Sequence, residues 1–193
     1  MRPAPCSAFE KTSSRRVTLI PAALAITAIG TMGAITAPAH AEQPVTSLAT
    51  LLDRAQIEDL LVDYYGQLGS GGKDFGDFYV EDGVLDVNGL VAQGQKGIED
   101  LYRKVAEGTP QRPGTFRMML TNIKIVVNGA TATADVLWTG MNSESVKAAP
   151  QIIEQGREHD ALVKRNGKWL FKHRVITSDG GLPPMFEKTY KAR

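Results

Sequence analysis

The sequence predicts an α+β fold in which helices come first and long antiparallel hairpins follow. Three observations carry this. Over residues 51–68, Leu52, Ile57, Leu60, Leu61, Tyr64 and Leu68 recur at three- and four-residue spacing, with Arg54, Glu58, Asp59 and Asp63 between them. That is the pattern of an amphipathic helix. From Phe116 onward the period changes to two, the side-chain repeat of a strand. Asn-Gly pairs then fall between such runs at 128–129 and 166–167, and this dipeptide supplies the left-handed backbone of a two-residue hairpin. Helices followed by hairpins place the helices on one face of a curved antiparallel sheet.

The elements follow in order. Residues 42–50 are a polar lead, and 51–178 hold the folded domain. Gly69-Ser70-Gly71-Gly72 ends the first helix, because glycine takes left-handed angles cheaply. Residues 74–79 suggest a short second helix, Asp82-Gly83 a turn, 84–87 a strand and Asn88-Gly89 a hairpin turn. Residues 97–107 read as a third helix and 108–114, with two prolines, as a loop. Strands are expected at 116–127, 130–141, 155–165 and 168–177, with a loop over 142–150. The tail, 179–193, carries Gly180-Gly181 and Pro183-Pro184 and has room for a short helix around 185–190.

The front of the chain has a different character. Arg2, Lys11, Arg15 and Arg16 face a single acid, Glu10, and residues 17–38 carry no charge. Ala39-His40-Ala41 then gives the small-x-small pattern of a cleavage site. Together these predict a secretory signal peptide over 1–41. Ser14-Arg15-Arg16 also resembles a twin-arginine signal, although Thr18 stands where that signal prefers an aromatic. The expected location is periplasmic or secreted, with no membrane attachment after cleavage.

Composition narrows the function. The 193 residues carry 22 Lys+Arg against 21 Asp+Glu, so there is no basic footprint for nucleic acid. Cleavage at residue 41 would remove four basic residues and one acid and leave the remainder slightly acidic. It would also remove the lone cysteine, Cys6. No thiol chemistry is then expected, and the two remaining histidines, His159 and His173, are too few for a typical zinc site. No dinucleotide, phosphate-loop or nucleophile-elbow motif occurs in its required context. No cofactor and no metal are expected.

Four passages carry a family resemblance. They are Arg54-x-x-Ile57-x-Asp59-Leu60 with Tyr64-Tyr65, Phe78-x-x-x-Asp82-Gly83, Gly94-x-x-Gly97-Ile98, and Asn166-Gly167-Lys168-Trp169-x-Phe171. Their order and spacing resemble the SnoaL-like group of the nuclear transport factor 2-like superfamily, which includes scytalone dehydratase and hexachlorocyclohexane dehydrochlorinase. The resemblance implies a cone: a bent sheet wrapped against about three helices, with a cavity at its open end. It also implies a homo-oligomer formed through the sheet face. Catalytic members of the group place an Asp late in the first helix and a His on the strand after the third helix, and this pair removes a proton from the substrate. Here the Asp position falls at Gly69, next to Ser70, and the His position falls at Met118. Neither residue carries a proton. Asp74 would replace the Asp only if the glycine loop folded back.

Other groups are candidates. Alternation puts Glu158 and Asp160 on one face of their strand and His159 on the other. If His159 faces the cavity, it is a candidate base with Tyr64 or Tyr65 as proton donor. If the other face is inside, Glu158 and Asp160 enter, and two like charges raise one carboxyl pKa. Tyr64 and Tyr65 point about 100° apart on the helix, so one should face the core. Phe116, Met118 and Leu120 share strand parity, and with Tyr64, Tyr65 and Trp138 they are the expected ligand lining. Met118 makes that lining apolar and adaptable. His173, between Lys172 and Arg174, is expected at the surface. The leading reading is an exported protein that binds a small hydrophobic molecule. The alternative is a dehydratase or isomerase with relocated groups such as His159 and Tyr64 or Tyr65.

Overall fold

In the computed structural model the described residues are 47–69, 72, 74–108 and 112–191. The expected signal peptide and most of the polar lead lie outside them, as do residues 70, 71 and 73 of the glycine-rich loop. Among the described residues no helix is long and apolar enough to cross a membrane.

Helix α1 spans Leu48–Gly69, three residues earlier than the periodicity suggests. The Ser47 N–H donates to Thr50 Oγ1 at 3.3 Å, and the Thr50 N–H donates to the Ser47 carbonyl at 3.1 Å. These bonds satisfy donors that an uncapped first turn leaves open. Ile57, Leu61, Tyr64 and Tyr65 are buried along its inner face. Leu52, expected on that face, is 67% exposed. The first turns are held instead through polar groups. Asp53 accepts from Lys164 Nζ at 2.6 Å and Trp169 Nε1 at 3.0 Å, and Arg54 donates to the Ile125 carbonyl.

The expected second helix is a single 3-10 turn, Phe75–Phe78, entered through Asp74 in the left-handed region at φ 58°. Strand β1, Tyr79–Val87, follows directly. The turn expected at Asp82-Gly83 lies inside this strand, where its register against a neighbour shifts between Tyr79 and Val84. Strand β2 is Leu90–Gln93 and helix α2 is Gly94–Gly108. Strands β3 (Thr115–Asn128), β4 (Thr131–Ser143), β5 (Gln151–Arg165) and β6 (Lys168–Gly180) complete one sheet in the order β2-β1-β6-β5-β4-β3. All neighbours are antiparallel except β1 and β6, which run parallel. The α+β expectation holds, and the three expected hairpin turns at 88–89, 128–129 and 166–167 all join paired strands or strand neighbours.

Extra residues bend this sheet, because a bulge kinks and twists its strand. One lies in β3 between Thr121 and Lys124, where Asn122 has φ 52°. Others are Ile153 in β5 opposite the Gly140–Met141 step, and Lys172 in β6 opposite the Ala161–Leu162 step. The alternation of β4 defines two faces. Ala132, Ala134, Val136, Trp138, Gly140 and Asn142 are buried toward the helices. Thr133, Asp135 and Leu137 point outward and are exposed.

Candidate functional site

The inner face is built in two layers. The deep layer is polar. Arg174 of β6 and Glu158 and Asp160 of β5 all point inward, and the side chains of all three are fully buried. Arg174 Nη2 donates to Glu158 Oε2 at 2.6 Å. The Tyr65 hydroxyl donates to the same oxygen at 2.5 Å. Asp160 Oδ1 stands 3.4 Å from Arg174 Nε. The guanidinium lies 3.8 Å from the centroid of the Tyr64 ring and 4.4 Å from that of Phe171, and such stacking stabilises a desolvated cation. Tyr64 in turn meets Phe75, Phe78 and Tyr102 edge-on and touches the Tyr102 hydroxyl with its own.

One cation faces two carboxylates here. Burial pushes the Asp160 carboxyl well above the usual carboxylate range, the Glu158 charge adds to the push, and Arg174 offsets part of it. Burial thus favours the protonated form of the Asp160 carboxyl. Burial also pushes the Tyr64, Tyr65 and Tyr79 hydroxyls up. The three hydroxyls stay neutral, and among the described residues that of Tyr79 has no hydrogen-bond partner. Among the described residues, both Asp160 oxygens, Glu158 Oε1 and the Trp138 indole N–H have no hydrogen-bond partner.

The second layer lies toward the end of the sheet where β3 and β5 begin, away from the start of α1. Phe116, Met118 and Leu120 of β3 are half-buried on the inner side, beside buried Trp138. Two cross-strand pairs form its floor, Gly140 opposite Glu154 and Trp138 opposite Gly156. Each large side chain leans over the glycine of its partner. A Cβ on Gly156 would lie 2.4 Å from Trp138 Cζ2. A Cβ on Gly140 would lie 2.8 Å from Glu154 Oε1 and 3.0 Å from Phe116 Cε2. The Glu154 carboxyl and the Phe116 ring thus both border the place above Gly140. Burial raises the pKa of Glu154, and Arg112 offsets part of the rise. The tail packs across the same end. Gly181 abuts Glu154, Met185 reaches Gly108, the Thr189 carbonyl approaches Gly89, and the Tyr190 hydroxyl donates to the Ser178 carbonyl at 2.9 Å.

Tyr64, Tyr65 and Asp160 therefore meet in the deep layer, and Phe116, Met118, Leu120 and Trp138 meet in the outer one. His159 joins neither. Of the two orientations that alternation leaves open, His159 takes the outward one: its side chain is 61% exposed on the opposite face and pairs with Asp135 through Nδ1 at 2.6 Å. It lies in a shallow depression of about 460 Å³ on the outer side of the sheet, together with Lys124 and Arg157. Arg157 is paired there with Asp179. His173 is exposed, as its neighbours suggest.

Sequence reasoning missed Arg174 and Glu154. Strict alternation from Trp169 and Phe171 would put His173 inside and Arg174 outside. The extra residue at Lys172 reverses this. Glu154 fell in the gap between an expected loop and a strand expected from 155, whereas β5 begins at Gln151. The spacing Glu154-x-x-x-Glu158-x-Asp160 is the signal that one face of a longer strand carries all three acids.

Residues 49–175 match the SnoaL-like domain. The chain belongs to this family, within the nuclear transport factor 2-like superfamily. Solved structures agree on the fold. A Nostoc punctiforme protein of unknown function with a cystatin-like fold superimposes with a TM-score of 0.61 at 24% identity, over 69% of this chain and 96% of that one. A Novosphingobium aromaticivorans candidate scytalone dehydratase gives a TM-score of 0.54 at 22% identity, over 75% and 91%. A Catenulispora acidiphila protein in complex with S-DNPA gives 0.56 at 20% identity, over 66% and 94%. No curated protein matches the sequence. At these identities the likeness of this SnoaL-like chain to solved structures concerns the fold.

Proposed function

We propose that this SnoaL-like protein is exported and binds a small hydrophobic molecule on the inner face of its sheet, at the end where β3 and β5 begin. One observation carries the reading. Phe116, Met118 and Leu120 stand half-buried beside Trp138, over a floor kept low by Gly140 and Gly156. A half-buried apolar surface of this kind with few polar groups suits contact with a small apolar ligand. Met118 stands where the family resemblance places a base, so binding does not entail proton transfer there. The ligand-bound Catenulispora acidiphila neighbour supports the same use of the fold.

The alternative of a dehydratase or isomerase built on His159 with Tyr64 or Tyr65 needs those groups on one side of the sheet. They lie on opposite sides. Export rests on the 1–41 pattern, and a mature protein beginning at Glu42 would establish it. The outer face, where Met119, Leu137 and Ile152 are exposed, is our candidate contact between copies of the chain.

Calorimetric titration of the exported protein with 1-naphthalenemethanol tests the binding site. We expect saturable binding with one ligand per chain. Met118→Lys should weaken it about tenfold or more, since it places a charge in apolar contact, while Leu137→Lys on the outer face should leave it unchanged. The reverse pattern would move the site to the outer face and overturn the reading.

A further inference from the structure

We infer that Glu154 makes the inner site selective for an apolar ligand that carries a protonated nitrogen, with the carboxylate as counter-ion and the Phe116 ring as the adjoining wall. This rests on the proposed inner-face binding site and adds a ligand class to it.

The geometry begins with the backbone. Ile153 is the extra residue of a bulge, and it sets Glu154 opposite Gly140 with its side chain on the inner face. Any side chain at 140 would occupy the place of the carboxyl, since an added Cβ would meet Glu154 Cγ at 2.6 Å and Oε1 at 2.8 Å. Met118 is directly opposite Gly140 on the other flank. Trp138 is the diagonal neighbour of Glu154 on the same face, within reach of a long side chain. One acid is thus set among Phe116, Met118 and Trp138.

The charge balance of this acid differs from that of the deep layer. Glu158 and Asp160 share Arg174. Glu154 has no ion pair within 4 Å among the described residues, and the charge acting on it is that of Arg112, an exposed residue before β3. Burial therefore disfavours its ionised form without a close partner to offset the cost. A ligand ammonium would provide that partner. Its N–H groups would donate to the carboxylate as a charge-assisted bond, and the adjacent ring would favour the cation through its negative face. The apolar body of the ligand would lie along Met118 and Leu120.

The test compares 1-naphthylmethylamine with 1-naphthalenemethanol, which matches it in shape but is neutral, on the full exported protein by calorimetry. Wild type should bind the amine about tenfold more tightly or better, the gain expected for a hydrogen bond to a charged group. Glu154→Gln should erase the difference between the amine and the alcohol. Gly140→Ala, which keeps the charge but displaces the carboxyl, should reduce the difference as well. Equal affinities in wild type would overturn the inference and leave the apolar site standing. An amine preference that survives Glu154→Gln would remove Glu154 from the role. Binding of neither compound would overturn the inner site itself, and the inference with it.

Discussion

Arg174 and Glu158 form an ion pair sealed inside the domain, 2.6 Å from Nη2 to Oε2, with neither side chain exposed. Their strands are adjacent, and the bulge at Lys172 turns the arginine inward to meet the acid. A buried pair of this kind is a weak source of net stability, but breaking it leaves an uncompensated charge. Arg174→Met should therefore destabilise the protein by about 3–5 kcal/mol, read from urea unfolding. A loss below about 1 kcal/mol would show that the carboxylates relax without their cation.

Asp160 makes a prediction about pH. Its folded pKa lies well above the ordinary carboxylate value that it regains on unfolding. Folding thus retains a proton that the unfolded chain releases. The stabilising contribution is complete below the unfolded pKa of about 3.9 and declines as pH rises toward the folded pKa. Asp160→Asn should remove this decline. Unfolding free energies measured from pH 4 to 8 should show the variant gaining on wild type as pH rises, and parallel curves would contradict the assignment.

Two glycines separate space from conformation. At Gly156 a Cβ would lie 2.2 Å from the Thr177 carbonyl oxygen and 2.4 Å from Trp138. At Gly97, inside α2, nothing lies within 4 Å. Gly156→Ala should cost about 1–3 kcal/mol through overpacking. Gly97→Ala should stabilise by about 0.5–1 kcal/mol through helix propensity. Thermal unfolding of the two variants should therefore move in opposite directions.

The fold was legible because the residues that form it repeat. Alternation along β4 from Thr131 to Asn142 is unbroken, and the Asn-Gly pairs mark their turns without ambiguity. The site was less legible, because it depends on single inserted residues. Ile153 and Lys172 shift register by one, and each shift reverses which side chains face inward. Alternation correctly separated His159 from Glu158 and Asp160 but did not say which side was buried. A strand face with two acids looks solvated until its cation is known, and that cation, Arg174, lies on the next strand beyond a bulge. Asp82-Gly83 misled for a similar reason: a turn dipeptide served as an irregular step inside β1.

His159 offers a control for the placement of the site. Its pair with Asp135 is exposed on both sides, and such pairs contribute about 1 kcal/mol or less. His159→Ala should leave both stability and ligand affinity close to wild type. A loss of binding with stability intact would place the ligand on the outer face.

The most direct test of the inner binding site is native mass spectrometry of the exported protein titrated with 1-naphthylmethylamine, with Met118→Lys alongside. Our account predicts one ligand per chain, saturable in wild type and sharply reduced in the variant. A spectrum that shows only the unliganded chain through millimolar concentrations, or equal loading of both proteins, would contradict it.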